Sequence, residues 1–166
     1  MKEFSTLVGG IAGDGINEAG ITISRLFSRL GYRIYMYYDY PSLIRGGHNF
    51  SLVRASRKKI AAHTDQIDVL IALNQETLEK HTSRLKDNSL VLYDADKAKL
   101  DAAKHKGCGL HITSILKEAE APAIMKNSCI LGGYCRVVGI DWPVLEEVLK
   151  KHIPKNLERN LLVTRH

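Results

Sequence analysis

The sequence predicts an α/β domain of three layers, with helices on both faces of a mixed, mostly parallel sheet, an antiparallel hairpin excursion and a helical C-terminal part. Three observations carry this. Strand-like apolar runs alternate with helix-like runs along the chain. Val69-Leu70-Ile71-Ala72-Leu73 and Ser89-Leu90-Val91-Leu92-Tyr93 are near-continuous apolar runs, the habit of strands covered by helices on each side. Gly9-Gly10-Ile11-Ala12-Gly13-Asp14-Gly15 stands between a strand-like run, Phe4 to Val8, and a helix-like run, Ile16 to Leu30, which gives the chain a βαβ opening.

In chain order, the first strand covers Phe4–Val8. The first helix carries Ile16, Ala19, Ile23, Phe27 and Leu30 at three- and four-residue spacing, and Gly31 sits where a left-handed cap ends it. Further strands are expected at Arg33–Tyr38, Asn49–Arg54, Val69–Leu73, Leu90–Tyr93 and Leu110–Ile112. Between Phe50 and Ala62, Ser-Leu-Val-Arg and Lys-Lys-Ile-Ala flank a basic turn at Ser56-Arg57-Lys58, which reads as the hairpin. Beyond Ala121-Pro122 the pattern turns helical. Ile124 to Val138 is stopped by Gly139, and a helix from Asp141 to His152 starts with the aspartate as cap and Pro143 in the first turn. Pro154 ends that helix, and a last one begins near Lys155.

At 166 residues and 45% hydrophobic composition, one domain with a real core is expected across 1–166. No run reaches the roughly 18 apolar residues of a membrane span, and no charged-then-apolar leader precedes the first strand, so a soluble, cytoplasmic protein is expected. Cys108, Cys129 and Cys135 form no Cys-x-x-Cys pair, so any iron–sulfur centre belongs to another chain. Cys129 and Cys135, six apart on one helix, read as core residues, and Cys108 sits in the glycine-flanked turn Lys106-Gly107-Cys108-Gly109. The net charge of +6, from 24 basic and 18 acidic residues, favours anionic partners in general and nucleic acid no more than phosphate-bearing cofactors or acidic proteins. The basic group at Arg54 to Lys59 reads as a solvated hairpin tip or as a contact for an acidic partner.

The glycine-rich turn feeds a helix N-terminus, where unpaired backbone N–H groups and the positive end of the helix dipole suit a phosphate. Its spacing fails the dinucleotide fingerprint: counting from Gly13, the third glycine falls at Glu18, and Gly20 comes too late, although Asp39 is near the place of a ribose-binding acid. Gly13-Asp14-Gly15 invites a thiamine diphosphate reading, but the asparagine pair that would help bind Mg²⁺ does not follow. A turn that binds nothing, with Asp14 as the helix cap, stays open beside the anion site.

A second constellation, Asp39-Tyr40-Pro41-Ser42-Leu43-Ile44-Arg45-Gly46-Gly47-His48-Asn49, follows the second strand and begins at the same carboxyl edge of the sheet, where open α/β sheets bind ligands. Pro41 sets the loop's direction, Gly46-Gly47 permits close approach, and Arg45 offers a forked cation for phosphate or carboxylate. With no second metal ligand at suitable spacing, His48 reads as a structural hydrogen-bonder. A plain loop with Arg45 in a structural ion pair stays open too.

Tyr-Pro-Ser-Leu-Ile-Arg-Gly-Gly-His-Asn, some 25 residues after a Gly-x-Ala-Gly-Asp-Gly loop, resembles the gamma subunit or gamma domain of the 2-oxoacid:ferredoxin oxidoreductases, which act on pyruvate, 2-oxoglutarate or ketoisovalerate. The likeness extends to Asn127-Ser128-Cys129-Ile130-Leu131-Gly132-Gly133 and the Gly139-Ile140 break, so it spans nearly the whole chain. It is strongest to the branch in which this domain opens a larger alpha subunit, and the chain reads equally as a whole small subunit or as a piece of a longer one.

The resemblance implies oxidative decarboxylation of a 2-oxoacid with coenzyme A to acyl-CoA and CO₂, with electrons passed to ferredoxin. Thiamine diphosphate, Mg²⁺ and iron–sulfur clusters would be held by partner chains or domains, and this chain would hold no metal and do no chemistry alone. By the same match, Gly10, Ala12, Gly13, Asp14, Gly15, Ile16 and Asn17 would bind coenzyme A, with backbone N–H groups rather than the Asp14 carboxylate meeting the phosphate. Ser42, Arg45, Gly46, Gly47 and His48 would lie at the cleft or the interface with the thiamine-binding domains. The competing classes are a stand-alone nucleotide-binding oxidoreductase and a phosphate-binding scaffold with no turnover.

Overall fold

The structure, a computed structural model, describes residues 3–40, 47–153 and 155–166. The chain divides into two compact units, Met1–Gly109 and Leu110–His166.

The first unit is built on the sheet of β1 (Glu3–Ile11), β2 (Arg33–Asp39), β3 (His48–Ser56), β4 (Ile67–Ala72), β5 (Leu85–Asp94) and β6 (Gly107–Leu110), in the order β2-β3-β1-β4-β5-β6. β1 and β4 pair in parallel, as do β4 and β5, whereas β3 is antiparallel to both its neighbours, β1 and β2. β1, β2, β4 and β5 therefore share one direction and β3 alone opposes them, which makes the sheet mixed and mostly parallel. Helix α1 (Ile16–Arg29) packs on one face, where Phe27 meets Phe4 with ring centroids 5.6 Å apart. On the other face Leu7, Leu52 and Leu70 gather with Leu78 of α2 (Gln75–His81), which completes the helix–sheet–helix layering.

The antiparallel excursion is present one strand earlier than the basic turn suggested. It is formed by β2 and β3, and no strand follows Ser56-Arg57-Lys58 before β4. The reason lies in hydrogen bonding. β3 is nine residues long and is paired along one edge with all of β1 and along the other with β2, so neither edge is left to accept a strand at Lys59–Ala62. Two of the basic residues at that turn are also tied down: Arg54 pairs with Glu3 at 2.8 Å and donates to the Ala62 carbonyl, and the Arg57 guanidinium lies 4.1 Å over the Tyr32 ring.

Helix α1 ends at the expected glycine. Gly31 has φ +78°, and Tyr32 N–H reaches back to the Phe27 carbonyl at 3.0 Å. Gly20, too late for the dinucleotide fingerprint, permits close packing here, because a Cβ on it would stand 2.7 Å from Ser51 Cβ of β3.

The second unit is helical: α3 (Ile112–Glu118), α4 (Lys126–Val138), α5 (Trp142–His152) and α6 (Leu157–Arg165). Residues 107–110 form β6 where a turn was expected, and Ile112 opens α3 where a strand was expected. Gly139 stops α4 at φ +73°, and Asp141 stands at the N-cap of α5 without making a side-chain capping bond. Cys129 and Cys135 are buried on α4, and burial pushes the Cys135 thiol up to about 12. The α4–α6 contact is polar at its centre. Ser128 Oγ donates to Asn160 Oδ1 at 2.6 Å, and Asn160 Nδ2 donates to the Lys155 carbonyl at 3.0 Å, so the buried amide uses both its ends.

Candidate functional site

Parallel strands β1 and β4 end together, Gly9 opposite Ala72, and the antiparallel register sets Ile11 of β1 opposite His48 of β3. The glycine-rich loop and the end of the second motif thus emerge side by side at one edge of the sheet. Topology alone puts them there.

The loop is closed by two reciprocal bonds: Asp14 N–H donates to the Ile11 carbonyl at 3.0 Å, and Ile11 N–H donates to Asp14 Oδ2 at 3.2 Å. One Asp14 carboxylate oxygen is therefore turned back onto the loop. Gly15, at φ +73°, occupies the N-cap position that the sequence had offered to Asp14. The first-turn N–H groups of α1 have no intrahelical acceptors, and behind them lies a helix of 14 residues with its positive pole at this loop.

The predicted loop residues divide by burial. Ala12 and Gly13 are exposed, Asp14, Gly15 and Asn17 are half-buried, and Gly10 and Ile16 are buried. A Cβ on Gly10 would stand 2.9 Å from Ile16 Cδ1 and 3.1 Å from Leu73 Cβ, so its bare backbone lets the turn fold over the strand end. Gly13, at φ +94°, has nothing within 4 Å of a built Cβ among the described residues. Ile11, 46% exposed, adds an apolar surface beside it.

Of the second motif, Ser42, Arg45 and Gly46 lie outside the described residues. Gly47, at φ +83°, leads into β3, where His48 is half-buried. His48 Nε2 is 2.7 Å from His81 Nε2 of α2, and His81 Nδ1 is 3.2 Å from Arg84 Nη1. His81 and Arg84 were missed in the sequence. They lie 33 and 36 positions from His48, and no local pattern joins them, although Asn74, whose Oδ1 accepts from Thr77 N–H at 3.0 Å, marks the start of α2 with an ordinary cap signal. Thr77 and His48 flank Gly9, where a Cβ would stand 3.1 Å from His48 Cε1.

Both imidazoles are held neutral. Burial, then the neighbouring Lys80, lowers the His48 pKa against the opposing pull of Glu76 and Asp39, and burial followed by His48, Arg84 and Lys80 lowers His81 to about 4. His48 Nδ1 is buried with no hydrogen-bond partner, an arrangement that costs about 1–3 kcal/mol. Because His81 takes up its proton less readily folded than unfolded, the unfolded chain binds more protons below pH 6.5 and stability falls as pH drops toward 4. A loss of about 1–2 kcal/mol is expected between neutral pH and about pH 5, above the range where most carboxylates protonate. Urea melts across that range check it, and an equally steep dependence in His81→Gln would show that another group is responsible.

Among the described residues no group of three or more His, Cys, Asp or Glu is placed to hold a metal ion, and no helix is long and apolar enough to cross a membrane.

The 2-oxoacid:ferredoxin oxidoreductase subunit alpha of a Sulfolobus species is 31% identical over 100 residues, 60% of this chain but only 16% of that protein. A 2-oxoglutarate:ferredoxin oxidoreductase from Magnetococcus marinus, solved with 2-oxoglutarate, coenzyme A and succinyl-CoA bound, superposes with a TM-score of 0.86 at 26% identity, covering 99% of this chain and 30% of that one. The keto/oxoacid ferredoxin oxidoreductase gamma subunit of Geobacter sulfurreducens shares the fold, with a TM-score of 0.86 at 23% identity over 99% of this chain and 94% of that one. Residues 5–166 match the pyruvate ferredoxin/flavodoxin oxidoreductase family, and the chain belongs to that family.

Proposed function

We propose that residues 1–166 act as one gamma domain of a 2-oxoacid:ferredoxin oxidoreductase, a complex that oxidatively decarboxylates a 2-oxoacid with coenzyme A to acyl-CoA and CO₂ and passes the electrons to ferredoxin. In this reading the loop of Gly10, Ala12, Gly13, Asp14, Gly15, Ile16 and Asn17 receives coenzyme A. The observation that carries it is the N-terminus of α1, with a glycine at its N-cap, behind an exposed turn whose Gly13 has nothing within 4 Å of a built Cβ. Coenzyme A bound to the Magnetococcus marinus enzyme supports the choice of ligand.

The mechanism assigned to this chain is binding and orientation. Backbone N–H groups of the loop and of the first turn of α1 meet phosphate oxygens, the Asp14 carboxylate is kept from repelling them by its bond to Ile11 N–H, and Gly10 and Ile16 shape the turn from below. Thiamine diphosphate, Mg²⁺ and iron–sulfur clusters belong to partner chains or domains. Cys129 and Cys135 are buried in α4. Ser42, Arg45, Gly46, Gly47 and His48 are assigned to the cleft and to the interface with the thiamine-binding domains. A cytoplasmic setting belongs to the same reading, in keeping with cysteines joined by no disulfide.

Mass-spectrometric identification of the chains that co-purify with this one tests the proposal. Thiamine-binding and iron–sulfur chains, in a complex whose acyl-CoA formation saturates with coenzyme A, are the expected result. Retained NAD or flavin would favour a stand-alone nucleotide-binding oxidoreductase, and a complex without turnover a scaffold module.

A further inference from the structure

The chain Arg84, His81, His48 has a direction that its chemistry sets. A guanidinium only donates, so His81 Nδ1, 3.2 Å from Arg84 Nη1, must accept. A neutral His81 then carries its proton on Nε2 and donates it across 2.7 Å to His48 Nε2, which leaves the His48 proton on Nδ1. Arg84 is itself anchored, its Nε donating to the Asp65 carbonyl at 2.9 Å, so the direction originates in a fixed group. A cationic His48 would set two N–H donors face to face across the same 2.7 Å. The remaining charged neighbours of His48, which are Lys80 and Glu76 on α2 and Asp39 on β2, include both signs and do not reverse this order. The Nδ1–H so fixed is buried and lacks an acceptor, on a ring whose Cε1 lies against Gly9, at the strand end that opens into the glycine-rich loop.

We propose that His81 and Arg84 are positioning residues that hold the His48 proton on Nδ1, so that this nitrogen donates a hydrogen bond to an oxygen of the anionic ligand at the glycine-rich loop. The ligand half rests on the coenzyme A reading above, and the tautomer half stands without it. An imidazole free to choose between tautomers would present a donor part of the time; one locked by a guanidinium two links away presents it always, and leaves no orientation to be selected on binding.

Two-bond ¹H–¹⁵N correlations of the histidine rings, recorded on the full chain at neutral pH, test the tautomer half. His48 is expected to be protonated on Nδ1 and His81 on Nε2. In Arg84→Leu, with folding checked by the backbone spectrum, the His48 Nδ1 proton population should fall about twofold as the pair reverses freely. A His48 ring protonated on Nε2 in the wild type, or tautomers unaltered in a folded Arg84→Leu, overturns the proposal. Coenzyme A added to the wild type then tests the ligand half. The His48 ring signals should move with the amides of Gly13 and Asn17, and Arg84→Leu should bind about twofold more weakly, because the donor tautomer is then present only half the time. Amides that move while the His48 ring does not would overturn the donor role and leave the coenzyme A reading standing. If neither moves, that reading fails and the donor role falls with it, whatever the tautomers show.

Discussion

Gly13→Val is expected to abolish most coenzyme A binding, by about a hundredfold or more, and to lower stability by about 1–3 kcal/mol. Two separate effects act. At φ +94° a β-branched residue is strained whatever the space around it, and that strain is the stability loss. The space itself is open, with nothing within 4 Å of a built Cβ, so the valine does not collide with the protein but occupies the volume from which a phosphate would approach the backbone. Gly13→Ala separates the two, since it shares most of the strain and intrudes less. Calorimetric titration of coenzyme A into the assembled complex, alongside thermal melts, reads both. If a folded Gly13→Val retains wild-type affinity, the loop is not the coenzyme A site.

In the second unit, Gly132→Ala is expected to destabilise the protein by about 2–4 kcal/mol, although on propensity alone it would stabilise α4 by about 1 kcal/mol. Contact decides the sign. A Cβ at Gly132 would collide with the carbonyl oxygen of Thr164, with the Thr164 carbonyl carbon 2.9 Å and its Cα 3.2 Å away, and backbone in a helix cannot swing aside as a side-chain tip can. Helix α6 must move, and moving it strains the Ser128–Asn160 bond at 2.6 Å and the Arg165 guanidinium seated 4.4 Å over the Trp142 ring. Denaturant unfolding checks the magnitude, and hydrogen exchange of the α6 amides should rise with it. A variant as stable as the wild type would mean that the helices part at no cost.

Much of this was readable from residues because the signals are local. Gly31 and Gly139 adopt positive φ where the sequence expected helices to stop, since only a residue without Cβ enters that region freely. Ile16, Ala19, Ile23 and Phe27 are buried along one face of α1, as a 3.6-residue period requires. The glycines and Asp14 of the turn between β1 and α1 are neighbours in the chain, so a candidate anion site was visible there. In the resemblance, the spacing between two motifs carried the family reading that residues 5–166 bear out.

Long-range pairing was not readable. The residues at 50–62 satisfy a hairpin pattern, but a strand chooses its partners by which edges are open, and β1 and β2 together take both edges of β3. Asp14 is a good cap by type, yet in the folded loop Gly15 takes the N-cap position and an Asp14 carboxylate oxygen accepts from Ile11 N–H. His48 drew attention as part of a motif. The partners that set its proton come from α2 and the turn after it, brought beside β3 only because β4 lies parallel to β1 and returns the chain to the same edge. Periodicity, caps and glycine turns are written in neighbouring residues and so belong to the sequence alone; the strand order, and with it the chain from Arg84 to His48, depends on which distant segments bury one another best, and that competition is settled only when the whole sheet assembles.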